Sequence, residues 1–424
     1  AVALHVGLGA AIWALLAAAV FVAWLEARSA GATTDSAPAA RQPSSASLRE
    51  QVSAYVALTK PRIIELLLVT TLPAMVLAAR GIPPLELVLW TLVGGSLAAG
   101  AANAINCYLD RDIDELMART RRRPLPAHAV DPESALVFGL LLGVVAFGVM
   151  AVFTNLVAAF LTLVAMAFYI VVYTMLMKRT TPQNIVIGGA AGALPPVIGW
   201  SAVSGDITLP ALLLFAIVFY WTPPHFWALS LRLRRDYEAA GVPMLPVVRG
   251  VPETTRQIAL YAVLMVALTL VFFAAAQMGL VFLAGALVLG GLFLMQALAM
   301  WREGTDRGAV RLYRYSITYL TALFGLMILD VATVTIGDDV QIGPNVQLLP
   351  PSHPIEPGPR RDQWEAARPI AIGDNVWLGG GVIVCPGVTI GRDTVVGAGA
   401  VVTRDLPPGV LAVGNPARVI RALA

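Results

Sequence analysis

Residues 103–125 read Asn103-Ala-Ile-Asn106-Cys-Tyr-Leu-Asp110-Arg-Asp112-Ile-Asp114-Glu-Leu-Met-Ala-Arg119-Thr120-Arg121-Arg122-Arg123-Pro124-Leu125. Asn106, Asp110 and Asp114 stand four apart. Each step therefore turns only about 40° around a helix, and the three oxygen-bearing side chains share one face. Such a face followed by an arginine cluster suits a hard divalent cation and a polyanion together. Mg²⁺ takes carboxylate, water and phosphate oxygens, and Arg grips phosphate oxygens in pairs. Asp112 points about 160° away from Asp110 and is expected to meet Arg or water. Two other stretches carry compatible groups. Lys178-Arg179-Thr-Thr181-Pro-Gln-Asn184 offers phosphate donors, and Trp221-Thr-Pro-Pro224-His225-Phe-Trp227 leads to Asp236 beside Arg232, Arg234 and Arg235. The three stretches are expected to converge on one Mg-diphosphate.

The elements that must position these groups follow from composition. Of 424 residues, 58% are hydrophobic and 13% charged, about half the charged share of a soluble domain. That excludes a disordered chain, a nucleic-acid binder built on basic patches and a single soluble domain of this length. It predicts a polytopic membrane protein whose partner is the lipid bilayer. Nine apolar runs have spanning length: 63–80, 85–108, 134–152, 155–177, 185–204, 209–231, 257–277, 279–300 and 312–330. An extra N-terminal run (2–25, within a segment 1–28) precedes a Ser/Ala/Pro-rich linker (29–49); it lacks a basic leader and does not read as a signal peptide. Cys107 and Cys385 form no metal or disulfide pattern and are expected to pack as small apolar residues. Connections after the even-numbered runs, counted with Arg314 at the start of the ninth, hold 16 Arg or Lys, and those after the odd-numbered runs offer only Arg80, at the end of the first. The positive-inside rule therefore predicts that the acidic motif faces the cytoplasm and that everything after 330 lies outside.

Over about 50–330 the combined motifs resemble the UbiA-type intramembrane prenyltransferases, in particular their protoheme IX farnesyltransferase branch. The resemblance rests on Leu58-Thr-Lys60-Pro-Arg62, Asn106-x3-Asp110-x3-Asp114 with Arg119-Thr120 and Arg123-Pro124-Leu125, Gly192-Ala-Leu-Pro-Pro-Val-Ile-Gly-Trp200, Pro224-His225-Phe226-Trp227, and Asp236-Tyr-x2-Ala-Gly-Val-Pro-Met-Leu-Pro. It implies a nine-helix bundle around a central cavity in a bacterial inner membrane. It further implies farnesyl diphosphate and heme b (protoheme IX) as substrates and heme O as product. By resemblance, Asp110 and Asp114, oriented by Asn106, which is counted in the same metal-binding set, hold Mg²⁺ against the diphosphate. Lys178 and Arg119 neutralise charge as the C–O bond breaks, helped by Arg179 and Asn184, and Asp236 stands near a second Mg²⁺. The wider superfamily carries Asp-x3-Asp at the second motif, where this chain has Asp236 and Ala240; this weakens a second metal triplet and argues against a benzoate-type acceptor. Lys60 and Arg62 either bind substrate or anchor the interface. His225 either contacts heme or a propionate, or is a hydrogen-bonded structural histidine. The run Leu4–Trp13 with His5 resembles the last helix of heme A synthase, a possible partner; a plain membrane anchor is the simpler reading.

After 330 the pattern changes to hexads: Ile336-Gly337, Ile342-Gly343, Leu348, Ile372-Gly373, Leu378-Gly379, Val384, Ile390-Gly391 and Val396-Gly397. Aliphatic residues every six positions predict a left-handed parallel β-helix fragment over 331–424. It resembles hexapeptide acetyltransferases of the maltose and galactoside type, which would make His353 a general base and place Trp377 beside coenzyme A. Only about half of such an enzyme follows residue 330, charge counting places it outside the cytoplasm, and no linker separates it from the last helix. The join reads as a fusion of two unrelated genes. The alternative functions are a membrane-anchored O-acetyltransferase and a UbiA-type enzyme with a quinone-precursor acceptor. An anchor needs neither the Asn-Asp face nor the Arg cluster, and the Pro-His-Phe-Trp and Asp-Tyr-x2-Ala-Gly segments disfavour the quinone precursor.

Overall fold

The computed structural model describes residues 47–330, 334–352, 355 and 366–423. The extra N-terminal run with His5, and His353, lie outside the described residues. The chain divides into a helical unit and a second unit holding the strands, the latter formed by residues 325–424 with the short segments 75–83 and 278–283.

The helices are α1 Leu48–Leu58, α2 Pro61–Ala79, α3 Leu85–Leu109, α4 Arg111–Leu116, α5 Pro132–Phe153, α6 Leu156–Ala167, α7 Asn184–Ser204, α8 Leu209–Arg232, α9 Arg234–Ala239, α10 Leu245–Val248, α11 Gly250–Ala275, α12 Leu280–Glu303 and α13 Asp306–Leu329. Helix α6 runs on as a π-helix over Phe168–Met177. Among the described residues nine helices are long and apolar enough to cross a membrane: α2, α3, α5, α6 with its π extension, α7, α8, α11, α12 and α13. They match the nine apolar runs. The largest differences are the starts of α11 and α13, at 250 and 306 instead of 257 and 312. Those first turns carry Arg256, Arg307 and Arg311, which a hydropathy pattern excludes and a helix accepts.

Local chemistry sets the boundaries. Asp131 caps α5 by accepting from the Ser134 amide at 3.0 Å, with Pro132 in the first turn. Asn155 caps α6 through the Ala158 amide at 2.9 Å, and Gly205 closes α7 in the left-handed region (φ +71°). These are standard start and stop signals. Helix α1 was not foreseen. It has a capping box between Ser47 and Glu50 and lies in sequence that reads as linker and domain edge.

Packing inside the bundle relies on small residues. Ala98, Ala101, Ala102 and Ala104 of α3 are buried, and Gly139 of α5 lies against them so closely that a Cβ would stand 2.7 Å from Ile105 Cγ1 and 3.2 Å from the Ala101 carbonyl oxygen. Backbones that approach this closely gain dispersion contacts that lipid cannot supply. Outward positions remain apolar: Leu140, Val144, Phe160, Val263, Val288 and Met295 are exposed, as expected of side chains facing hydrocarbon.

The strand unit contains β1 Val334–Ile336, β2 Gln341–Ile342, β3 Gln347–Leu348, β4 Pro351–Ser352, β5 Ala366–Ala367, β6 Ile370–Ile372, β7 Trp377–Leu378, β8 Ile383–Val384, β9 Thr389–Ile390, β10 Val395–Val396, β11 Val401–Val402, β12 Val410–Val413 and β13 Arg418–Ala422. Three parallel stacks run β1-β6-β9, β2-β7-β10-β12 and β3-β8-β11, and β13 closes the second stack antiparallel to β12. Trp377 pairs with Val395 and Ile383 with Val401, an 18-residue coil of three hexads. Ile370, Ile372, Val376, Leu378, Val382, Val384, Val388 and Ile390 form its buried core. Corners repeat every six residues in left-handed backbone at Asp339, Asn345, Asn375, Gly381, Gly387, Asp393 and Gly399, where only Gly, Asn and Asp fit at low cost. The hexads thus fold as the parallel β-helix their spacing predicts.

Candidate active site

Asp110 ends α3 (φ −97°, ψ 4°) and Arg111 starts α4. The helical hydrogen bonds nevertheless continue across the break, Asp110 N to Asn106 O and Asp114 N to Asp110 O, both 2.9 Å. Asn106, Asp110 and Asp114 therefore stay on one side. All three are buried, as the four-residue spacing predicts.

Each has a defined partner. Asp110 Oδ2 accepts from Lys178 Nζ and, at 2.7 Å, from Asn106 Nδ2. Its Oδ1 is buried without a hydrogen-bond partner, with Arg179 Nη2 at 3.8 Å. Asp114 Oδ2 accepts from Arg123 Nη1 at 2.7 Å, and the Thr120 hydroxyl donates to the Asp114 carbonyl at 2.8 Å. Asn106 also donates to Thr174 Oγ1 at 3.1 Å, and its Oδ1 accepts from Lys60 Nζ at 2.6 Å. Lys60 has no acceptor lone pair to offer, so this bond fixes which way the amide faces. The oxygen of Asn106 is occupied and its nitrogen orients Asp110. In this arrangement the Asn106 amide orients the Asp110 carboxylate, as the resemblance implies.

Lys60 occupies left-handed backbone (φ +53°), a strained state for a residue before proline. The preceding carbonyl, Thr59 O, is held by Asn103 Nδ2 at 2.9 Å. Burial foremost, with the Arg123 and Lys178 charges nearby, pushes the Lys60 ammonium down to about 8. Asp112 faces away as expected: Arg179 grips it with two bonds of 2.6 and 2.7 Å, which hold the carboxyl below its ordinary value.

The π-helix explains how Lys178 arrives. Its amide bonds to the Tyr173 carbonyl five residues back at 2.8 Å, and Thr174 Oγ1 donates to Tyr169 O at 2.9 Å. The wider turn lets Tyr169, Tyr173 and Lys178 border the same cavity, as single π turns often do at functional sites. Asn184 is fully buried and donates to the Thr181 carbonyl at 2.8 Å; it pins the loop that carries Lys178.

Several of these groups rim a cavity of about 320 Å³. Lys60, Asn106, Asp114, Arg119, Arg123 and Lys178 border it at the arginine-rich end, with Tyr237 and Met244 from the third stretch. The three stretches do converge on one cavity, and Lys178 reaches Asp110 across 68 residues of sequence. Arg62 is exposed, and neither it, Asp110, Arg179, Asn184 nor Asp236 lines the cavity; Asp110 stands behind Asn106 and Lys178, which do. Asp236 is half-buried without an ion pair among the described residues, which leaves a second metal position without a paired carboxylate. His225 does not line the cavity either. It stacks between Trp221 and Tyr313 (centroids 4.3 and 4.8 Å) with Nδ1 2.7 Å from Ser316 Oγ. That hydroxyl donates to Tyr313 O, so His225 Nδ1–H is the donor in a packed helix seam. Sequence reading passed over Arg123 as a site residue, although its motif was visible, and missed Asn103, Thr174 and the two tyrosines, whose signal is a five-residue spacing that no α-helical pattern shows.

Deeper in, the threonine hydroxyls are turned back on their own helices. The hydroxyls of Thr70, Thr71, Thr91 and Thr162 donate to the carbonyls of Leu67, Leu67, Leu87 and Ala158 at 2.7–2.9 Å. The chamber therefore presents methyl groups. Its head is ionic and its depth is apolar.

The family described as the UbiA prenyltransferase family matches residues 67–324. The chain belongs to this family. A protoheme IX farnesyltransferase of Frankia alni is 52% identical over 280 residues, 65% of this chain and 97% of that one. One of Roseiflexus sp. (strain RS-1) is 52% identical over 276 residues, 65% of this chain and 52% of that one; the chain spans about half the length of such relatives. The solved structure of a digeranylgeranylglyceryl phosphate synthase shares the helical fold, with a TM-score of 0.57 at 17% identity over 66% of this chain and 99% of that one. Residues 369–404 match the bacterial transferase hexapeptide (six repeats) family. The acidic motif, the Lys178 loop and the Tyr237–Met244 segment together border the charged end of one cavity. Its donor set suits Mg²⁺: hard carboxylate oxygens from Asp110 and Asp114, one of them buried without a partner. Among the described residues no cluster of three His, Cys, Asp or Glu exists, so remaining ligands would come from phosphate and water.

Proposed function

We propose that this UbiA-family chain transfers the farnesyl group of farnesyl diphosphate to a vinyl group of protoheme IX, in a Mg²⁺-dependent reaction at the cytoplasmic face of the membrane. The carrying observation is the polarity gradient of the cavity. Lys60, Lys178, Arg119 and Arg123 ring the head, while the hydroxyls below are internally bonded, as a diphosphate with an apolar tail requires. The acceptor is inferred from the roughly half-identical protoheme IX farnesyltransferases.

Asp110 and Asp114 would hold Mg²⁺, which supplies charge neutralisation to the leaving diphosphate. Lys178, Arg119 and Arg123 bind the same oxygens and stabilise the negative charge that grows as the C–O bond breaks. The apolar chamber keeps water from the allylic carbon. A heme vinyl carbon then forms the new C–C bond. Water adds to the resulting cation and loses a proton, giving a hydroxyethylfarnesyl group.

The test is to express the full chain in membranes supplied with heme b, farnesyl diphosphate and Mg²⁺ and to weigh the extracted heme. A farnesyl-plus-water mass gain, lost in Asp110→Ala, is expected. Unmodified heme from folded wild-type protein overturns heme as the acceptor.

A further inference from the structure

We infer that Gly95 is the residue that admits the last isoprene unit of the donor, and so sets the tail length this chain accepts. The inference rests on the prenyl-diphosphate reading and adds a specificity residue to it.

Helix α3 runs along the cavity from head to floor, and Asn106, Asn103, Ala102, Ala99, Gly95 and Thr91 all line it. The helix is therefore a ruler. At 1.5 Å per residue, Gly95 lies about 16 Å below Asn106 and Thr91 about 22 Å below it. An extended hydrocarbon advances about 1.25 Å per carbon, given bonds near 1.5 Å. The twelve main-chain carbons of a C15 tail reach about 15 Å and the eight of a C10 tail about 10 Å on the same basis. Gly95 thus stands beside the end of a C15 tail and beyond the end of a C10 tail.

The space at Gly95 is real. A Cβ built there meets no heavy atom within 4 Å, although the residue borders the cavity. Neighbouring Gly94 differs: a Cβ there would stand 2.5 Å from Met150 Sδ, so its smallness serves helix packing. Thr91, one turn beyond on the same helix, and Thr162 also line the cavity, both buried with hydroxyls bonded to their own helices. A side chain at position 95 would fill the terminal isoprene's place and leave the head untouched.

The experiment measures binding of the C10 and C15 thiolodiphosphates, which resist cleavage, to the full chain in lipid nanodiscs, for wild type, Gly95→Ala and Gly95→Leu. Inorganic pyrophosphate competition reports the head. The expected result is a fall of at least about tenfold in the C15-to-C10 affinity ratio for Gly95→Leu, from lost burial of one isoprene unit. Gly95→Ala should show a smaller fall in the same direction and pyrophosphate affinity should be unchanged in both. Gly95→Ala introduces no clash, so it reports even where the leucine variant does not fold. A ratio within twofold of wild type in the folded variants, or equal loss of both ligands, overturns the inference alone. Wild type that binds neither ligand overturns the prenyl-diphosphate reading and the inference with it.

Discussion

The close contact between α5 and α3 predicts a graded response along one helix. Gly139, Gly143 and Gly148 all lie in α5. A Cβ at Gly139 would press on Ile105 Cγ1 at 2.7 Å and on the Ala101 oxygen and Ile105 nitrogen at 3.2 Å; at Gly143 the nearest atom is Ala101 Cβ at 3.7 Å; at Gly148 nothing lies within 4 Å. Replacement by Ala raises helix propensity by about 1 kcal/mol at each site, so that term cancels in the comparison. What differs is overpacking, about 1–3 kcal/mol where the obstacle is backbone that cannot rotate away. Gly139→Ala should therefore unfold more easily than Gly148→Ala by about 1–3 kcal/mol, with Gly143→Ala near Gly148→Ala. The clash falls on Ile105, whose neighbour Asn106 orients Asp110, and an error of about 1 Å in a catalytic group costs on the order of 100-fold in rate. Gly139→Ala should accordingly lose turnover beyond its loss of stability. Circular dichroism during thermal unfolding in detergent, alongside heme product rates at a temperature where all variants are folded, measures both. Equal stability and equal rates across the three variants would refute the reasoning.

Two further outcomes are expected. Lys178→Met leaves the fully buried Asp110 carboxylate without its ammonium and should cost about 3–5 kcal/mol in unfolding free energy, whereas Arg179→Ala breaks an exposed pair and should cost at most about 1 kcal/mol; chemical denaturation in detergent compares them. In the β-helix, Leu378→Ala, at a fully buried stack position, should cost about 2–5 kcal/mol. Ile342→Ala, half exposed on the first coil, should cost clearly less, as read from Trp377 fluorescence during unfolding.

The spanning helices were legible because length and apolar continuity are properties of contiguous sequence. Asn106, Asp110 and Asp114 were legible for the same reason, since helical period alone places them together. What periodicity cannot carry is a partner far along the chain. Lys178 on Asp110 spans 68 residues and Lys60 on Asn106 spans 46, and neither pair shows in a local pattern. The π stretch escaped because its apolar composition fits either helix. Helix α1 escaped because Leu48, Val52 and Val56 are exposed and only Ala54, Tyr55 and Leu58 at its C-terminal end pack on the core, too short a stripe to read from the sequence. His225 looked functional because a polar group behind two prolines is unusual; its partner Ser316 lies 91 residues away.

The β-helix also keeps its own arithmetic. Directly following coils pair at an offset of 18 residues from β6 to β11 and of 16 from β10 to β12, yet β1 meets β6 at 36: Val334 opposite Ile370, and likewise Gln341 opposite Trp377 and Gln347 opposite Ile383. The excursion between β3 and β6 departs from and returns to the same corner, so the stack never registers its length. Anywhere else, adding or deleting one residue would turn an inward aliphatic to solvent. That corner is a splice point, where segments of unrelated length and chemistry can be exchanged while the coils above and below keep their alignment.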